Sequence, residues 1–179
     1  PAAFLGLPTL YPIIVLIQIR LSIKHGNSPQ SSLSYASYGL LLNTILTQSS
    51  PAEELGQMAL ALVEKSTSKS LYARVHFVVA GFITHRTMPL TASKKGLLKG
   101  YKVALESGDL EYVGYNAFHI SQQSYLLGDE LASLEKTIHA YSQVLAKFQQ
   151  VSTLNYCQIY RQPALNLIGR QASKATTHP

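Results

Sequence analysis

Several of the residues on which protein chemistry often depends are scarce in this sequence. Its 179 residues include one cysteine and no tryptophan. A lone Cys157 excludes an internal disulfide and fits a reducing compartment, so a cytoplasmic location is expected. Charged residues make up 13% of the chain, about half the roughly one quarter usual in soluble domains. With 46% hydrophobic residues beside it, that low charge excludes a disordered chain, which needs the opposite balance. It also leaves surface that another body is expected to cover. Acid is missing altogether between Glu64 and Glu106, a stretch holding Lys65, Lys69, Arg74, Arg86, Lys94, Lys95, Lys99 and Lys102. No apolar run reaches the ~20 residues needed to cross a bilayer. The run Ile13-Ile14-Val15-Leu16-Ile17 gives way to Gln18, Arg20 and Lys24 and is read as a buried core helix. Alternation over Ile17–Lys24 also permits a strand. No basic segment precedes the run, so a signal peptide is not expected. A chain opening on Pro1 is read as part of a longer protein.

The motifs of chemistry are missing too. The segment from His25 to Leu42, HGNSPQSSLSYASYGLLL, joins glycines to serines. A phosphate-cradling loop would need GxxxxGK[ST], or GxGxxG after a strand. Neither is present, and the serines have no base at a recognisable spacing. Ser66-Thr67-Ser68-Lys69 matches the bare SxxK of some acyl enzymes. Its companion SDN and KTG motifs are absent, so it is read as a polar loop between helices. His25, His76, His85, His119, His139 and His178 show no metal-ligand spacing and are read as core or surface residues. Cys157 is read as a small apolar packing group. No catalytic, cofactor-binding or metal-binding residue is assigned, and no cofactor is expected.

What is present is helical period. Leu131, Leu134, Ile138, Tyr141, Leu145 and Phe148 follow one another at steps of three and four, one stripe of an amphipathic helix. Leu71, Val75, Val78 and Phe82 form a second stripe, widened by Val79 and Ile83, and Leu55, Ala59 and Leu62 form a third. Punctuation agrees with the stripes. Gly26 is expected to end a helix and Ser28 to cap the next. In Ser50-Pro51-Ala52-Glu53, Ser50 is the expected cap, Pro51 the first helical residue and Glu53 the closing member of a capping box. Gly108-Asp109 and Gly128-Asp129 each join a helix-ending glycine to an expected capping aspartate. Helices are predicted near 8–25, 29–47, 51–66, 70–86, 89–107, 109–127, 130–149 and 151–169. Pro163 should kink or end the last, since it lacks an N–H and crowds the preceding turn. Alternate helices begin about 40 residues apart, a period typical of paired-helix repeats. Ala52, Gly56 and Ala59, and again Leu97, Tyr101 and Ala104, reproduce the small-residue spacing of a tetratricopeptide second helix. The expected fold is all-α, a right-handed tetratricopeptide-like (TPR-like) α-solenoid of antiparallel helix hairpins over residues 1–169. Residues 170–179 have no apolar period and are read as a flexible linker.

Tyr35-Ala36-Ser37-Tyr38-Gly39-Leu40, Ser107-Gly108-Asp109-Leu110-Glu111-Tyr112, Ala140-Tyr141-Ser142, Ile159-Tyr160-Arg161-Gln162 and Leu165-Asn166-Leu167 carry a resemblance. The chain resembles the helical repeat region of large, mainly cyanobacterial, signalling proteins. These join a serine/threonine kinase, a STAND-type ATPase, a helical region, a GAF domain and a sensor histidine kinase. The resemblance implies ATP-binding and kinase activity in the parent and none in this segment, which holds no Walker lysine, HRD or DFG set, or phosphoacceptor box. It implies a regulatory role in which the helices receive a partner or hold the ATPase inactive.

Two residue groups are candidates for partner binding. Lys95, Lys99 and Lys102 share one helix face at i, i+4 and i+7. Such a face is first of all a solvated helix surface; as a binding face it suits an acidic partner segment, and nucleic acid less well, because arginine is sparse and no recognition motif is present. Tyr35, Tyr38, Tyr112 and Tyr115 fall in first helices of hairpins, where tyrosines pack between repeats or line a groove. The expected function is a non-catalytic module for protein–protein or intramolecular regulatory contacts. Its expected partners are other domains of the same chain or a signalling protein, with no membrane role. The alternatives are a basic repeat that binds nucleic acid and a small-molecule sensory domain.

Overall fold

Every regular element that the structure describes, over residues 6–169 of a computed structural model, is helical. Eight α-helices follow in order: α1 (Tyr11–His25), α2 (Ser31–Thr44), α3 (Ser49–Val63), α4 (Lys69–Phe82), α5 (Leu90–Ser107), α6 (Leu110–Leu126), α7 (Leu131–Lys147) and α8 (Val151–Ile168). A 3-10 turn, Thr84–Arg86, links α4 to α5. The fold is all-α, as periodicity predicts. The segment 170–179, with His178, lies outside the described residues.

Glycine ends helices where expected. Gly26, Gly108 and Gly128 take φ of 88°, 70° and 73°, the left-handed half of backbone space that side chains resist. The expected caps are not formed, and Glu53, Asp109 and Asp129 have other partners. α2 is entered through a turn in which the Ser28 N–H donates to Ser31 Oγ at 3.0 Å, so Ser28 does not cap it. α3 begins one residue before Ser50 and has no side-chain cap. Glu53 instead accepts from Gln57 at 2.7 Å and from Thr87 at 3.0 Å. Asp109 caps nothing; its Oδ2 takes the Arg74 guanidinium at 2.9 Å and the Ser70 hydroxyl at 2.6 Å, both on α4. Asp129 pairs with Lys94, and Glu130 caps α7 through the N–H groups of Ala132 and Ser133. α8 runs through Pro163 to Ile168 rather than ending there. The carbonyl that loses its donor belongs to Ile159, a residue 60% exposed, where water can serve it.

The helices form two rows. α2, α4, α6 and α8 pack on one another in that order. α3, α5 and α7 each fill the angle between two of them, and no comparable contact joins α3 to α5 or α5 to α7. Val63, Leu97, Val113, Ile138 and Leu145 are fully buried between the rows. Each such side chain stabilises the fold by about 1.5–3 kcal/mol. Close approach depends on glycine at several points, Gly39 and Gly114 among them. A Cβ on Gly39 would sit 2.9 Å from the Ala52 carbonyl oxygen, and one on Gly114 would overlap the Thr153 side chain. Buried polar ties cross the helices. Asn43 Nδ2 donates to the Phe82 carbonyl at 2.7 Å. Gln123 Nε2 donates to Ser93 Oγ at 2.8 Å, and Ser93 in turn donates to the Ala80 carbonyl.

α1 departs from the core helix expected of it. It packs on α2 but buries only Val15 and Ile19, leaving Ile13, Leu16, Ile17, Leu21 and Ile23 exposed. It covers one edge of the even row and is not itself core. No helix among the described residues is long and apolar enough to cross a membrane.

Candidate functional site

Between α1 and the even row lies a cavity of about 380 Å³. Helical spacing brings its walls together. α1 contributes Tyr11, Ile14, Val15 and Gln18 at i, i+3, i+4 and i+7, a single face. α2 contributes Leu33, Ser37 and Leu40 at i, i+4 and i+7, another single face. α4 adds Phe77, Val78 and Phe82; α6 adds Tyr112, Tyr115, Phe118 and His119; α8 adds Tyr156.

Phe77 is the hub of the aromatic wall. Its ring centre lies 5.5 Å from those of Phe82 and Tyr112, both edge-on, and 5.5 Å from Tyr115, stacked. His119 sets its edge against Phe77 at 5.1 Å, Phe82 at 5.2 Å and Phe118 at 4.9 Å. Phe118 continues the wall to Tyr156 at 5.2 Å. Offset and edge-on rings at these separations attract beyond their buried area.

The electrostatics are those of a neutral pocket. Among the described residues, no Asp, Glu, Lys or Arg lines it. Burial holds the His119 imidazole down at about 4, with the neighbouring His85 adding in the same direction, so the ring is neutral at pH 7. Burial raises the Tyr112 hydroxyl, and at Tyr115 burial acts with the Glu111 carboxylate. Both phenols stay protonated. Arg74 sits 5.1 Å over the Tyr112 ring and is tied to Asp109. Tyr115 donates to Glu111 at 3.1 Å, and Ser37 bonds with Tyr11. The Tyr112 hydroxyl and the His119 ring have no hydrogen-bond partner among the described residues. The arrangement can bind, and it holds no nucleophile paired with a base.

The structure divides the residues singled out from the sequence. Tyr112 and Tyr115 belong to the cavity wall. Tyr35 is buried instead, its hydroxyl donating to Asn27 at 3.0 Å, and Tyr38 is half-buried against the core. Lys95, Lys99 and Lys102 are exposed on α5, away from the cavity, with no ion pair among the described residues. Three other cations of the acid-free stretch are paired across helices: Lys69 with Glu106, Arg74 with Asp109 and Lys94 with Asp129. Phe77, Phe118, His119 and Tyr156 were not singled out from the sequence. The signal available for them is a second apolar face. On α4, Phe77 lies off the Leu71–Val75–Val78 stripe. On α6, the Tyr112–Tyr115–His119 row runs beside the core row Val113–Ala117–Ile120.

Compared with protein-family models, with curated proteins and with solved structures, the chain finds no match in any of the three.

Proposed function

We propose that the chain is a non-catalytic helical-repeat module, a TPR-like right-handed array of hairpins whose even-row face receives a partner. The carrying observation is the row itself. α2, α4, α6 and α8 begin at 31, 69, 110 and 151, intervals of 38, 41 and 41 residues, and pack in sequence order. First helices of stacked hairpins line the concave, binding side of such arrays. Here that side carries rings that are only partly covered. The partner is another domain of the same chain or of a signalling protein. The resemblance to the helical region of multidomain kinases supports a regulatory contact with a neighbouring ATPase or kinase domain.

Site-specific photo-crosslinking tests this. A photo-reactive residue at Tyr156, on the even row, should capture one defined segment of the parent chain or a signalling protein. The same residue at Leu98, exposed on α5, should not. Equal capture at both positions, or capture at Leu98 alone, would overturn the reading. Nucleic acid held through Lys95, Lys99 and Lys102, and lost steeply with salt, would put the basic-repeat alternative first.

A further inference from the structure

Using the same even-row face as the interaction role, but not depending on it, we propose that the cavity beneath α1 binds a small, uncharged, ring-containing molecule bearing a hydrogen-bonding substituent. Size comes first. At about 380 Å³ the cavity falls within the range of small-ligand sites, roughly 300–1,000 Å³. Ile14 and Tyr156, both in its wall, are 39% and 46% exposed, which places the mouth between α1 and α8.

The walls select the ligand's body. Phe77, Phe82, Tyr112 and Phe118 present ring faces and edges, suited to a flat ring inserted among them. The absence of charge from the lining selects against ions. A carboxylate, phosphate or ammonium group would lose its hydration with no counter-charge to replace it. That excludes nucleotides, free amino acids and fatty acids as preferred ligands.

Two polar groups select the substituent. The Tyr112 hydroxyl can donate or accept, and the neutral His119 ring offers one donor and one acceptor. Neither has a partner among the described residues, and both line the cavity. A gap left by imperfect packing would be walled by methyl groups and satisfied polar atoms. A hydroxyl, carbonyl or amide on the ligand would satisfy either of them. α1 gives the cavity one wall yet buries only Val15 and Ile19. Ligand contacts would therefore add to its attachment and link occupancy to the position of this helix.

The test uses N-phenyl-1-naphthylamine, an uncharged fused-ring fluorophore with one N–H. Its sulfonated relative, 8-anilinonaphthalene-1-sulfonate, serves as the charged counterpart. The uncharged probe should bind the full chain saturably at one site, and the sulfonate about tenfold or more weakly. Val78→Phe, which fills the cavity, should abolish binding. Tyr112→Phe keeps the ring and removes only the hydroxyl, so it tests the site even if Val78→Phe does not fold. It should weaken binding about fivefold, the loss of one neutral hydrogen bond. Tyr101→Phe, whose ring packs on Tyr141 away from the cavity, should bind like the parent. Absence of saturable binding, equal affinity for the sulfonate, or unchanged affinity in folded Val78→Phe or in Tyr112→Phe would overturn the proposal. Probe binding without crosslinked partner at Tyr156 would sink the interaction role alone; the reverse would sink the ligand site alone.

Discussion

Lowering the pH should unfold this protein through two histidines before its carboxylates titrate. His76 is buried against Tyr72, ring centres 4.2 Å apart, and its Nε2 has no partner among the described residues. Burial holds it at about 4 in the folded state, with the Lys99 charge acting the same way and Glu64 opposing. His119 is held at about 4 by burial among Phe77, Phe82 and Phe118. In the unfolded chain both return to about 6.5. Folded values below unfolded ones mean that the unfolded chain binds more protons, so stability falls as the pH falls from 6.5 towards 4. At ~1.4 kcal/mol per pH unit, each histidine is capped near ~3 kcal/mol. Between pH 7 and pH 5 each should remove about 2 kcal/mol. Urea denaturation followed by circular dichroism at pH 7, 6 and 5 measures the sum. His119→Phe places a ring of similar shape among three phenylalanines and cannot be protonated, so it should remove about half of the pH dependence. His85, which is more exposed, and the carboxylates are common to both proteins. An identical pH slope in the parent and in His119→Phe would refute the reasoning.

Further perturbations test the packing. Asp109, with a side chain 9% exposed and two partners on α4, should lose about 2 kcal/mol as Asp109→Asn, while Asp129→Asn, 37% exposed, should lose less than ~1 kcal/mol. Urea midpoints compare the two. Gly114→Ala should cost ~1–3 kcal/mol by overlap with Thr153, and Gly114→Ala with Thr153→Ala should recover much of it. Cys157, fully buried and pushed up to about 11 by desolvation, should react with a thiol-specific reagent at pH 8 only as the chain unfolds. Rapid labelling of the folded protein would contradict its burial.

Helix positions were legible because period and glycine act locally. The Leu131–Phe148 stripe and Gly108 and Gly128 placed α7 and its neighbours within a residue or two of their observed ends. The caps failed for the opposite reason. A capping aspartate is a local code, but Asp109 lies 35 residues from Arg74, and Asp129 35 residues from Lys94. Once the helices pack, a cation is the stronger partner for a carboxylate than a helix N–H. The acid-free stretch is divided in the same way, since Arg74 and Lys94 are paired with acids that follow it. What remains exposed and unpaired on α5 is the row Lys95, Lys99 and Lys102.

The cavity was half legible, and the division follows from how a helix is shared between two neighbours. Tyr112 and Tyr115 stand out because α6 carries them at i and i+3 beside a separate core row. A helix with one buried face needs one stripe, whereas α4 and α6 must pack on the odd row and also meet each other. Their second apolar faces are therefore not surplus; they are the only surface left for the even row to present. The same logic accounts for α1. Its sequence is apolar on nearly every side, which in isolation argues for a core helix. With Val15 and Ile19 against the array and Tyr11, Ile14 and Gln18 over the aromatic wall, one side is used for attachment and an adjoining side closes the cavity. What the helix covers is thus aromatic and neutral, and what attaches it is Val15 and Ile19 with the bonds of Ser22 to Ser31 and of Ser34 to Gln18.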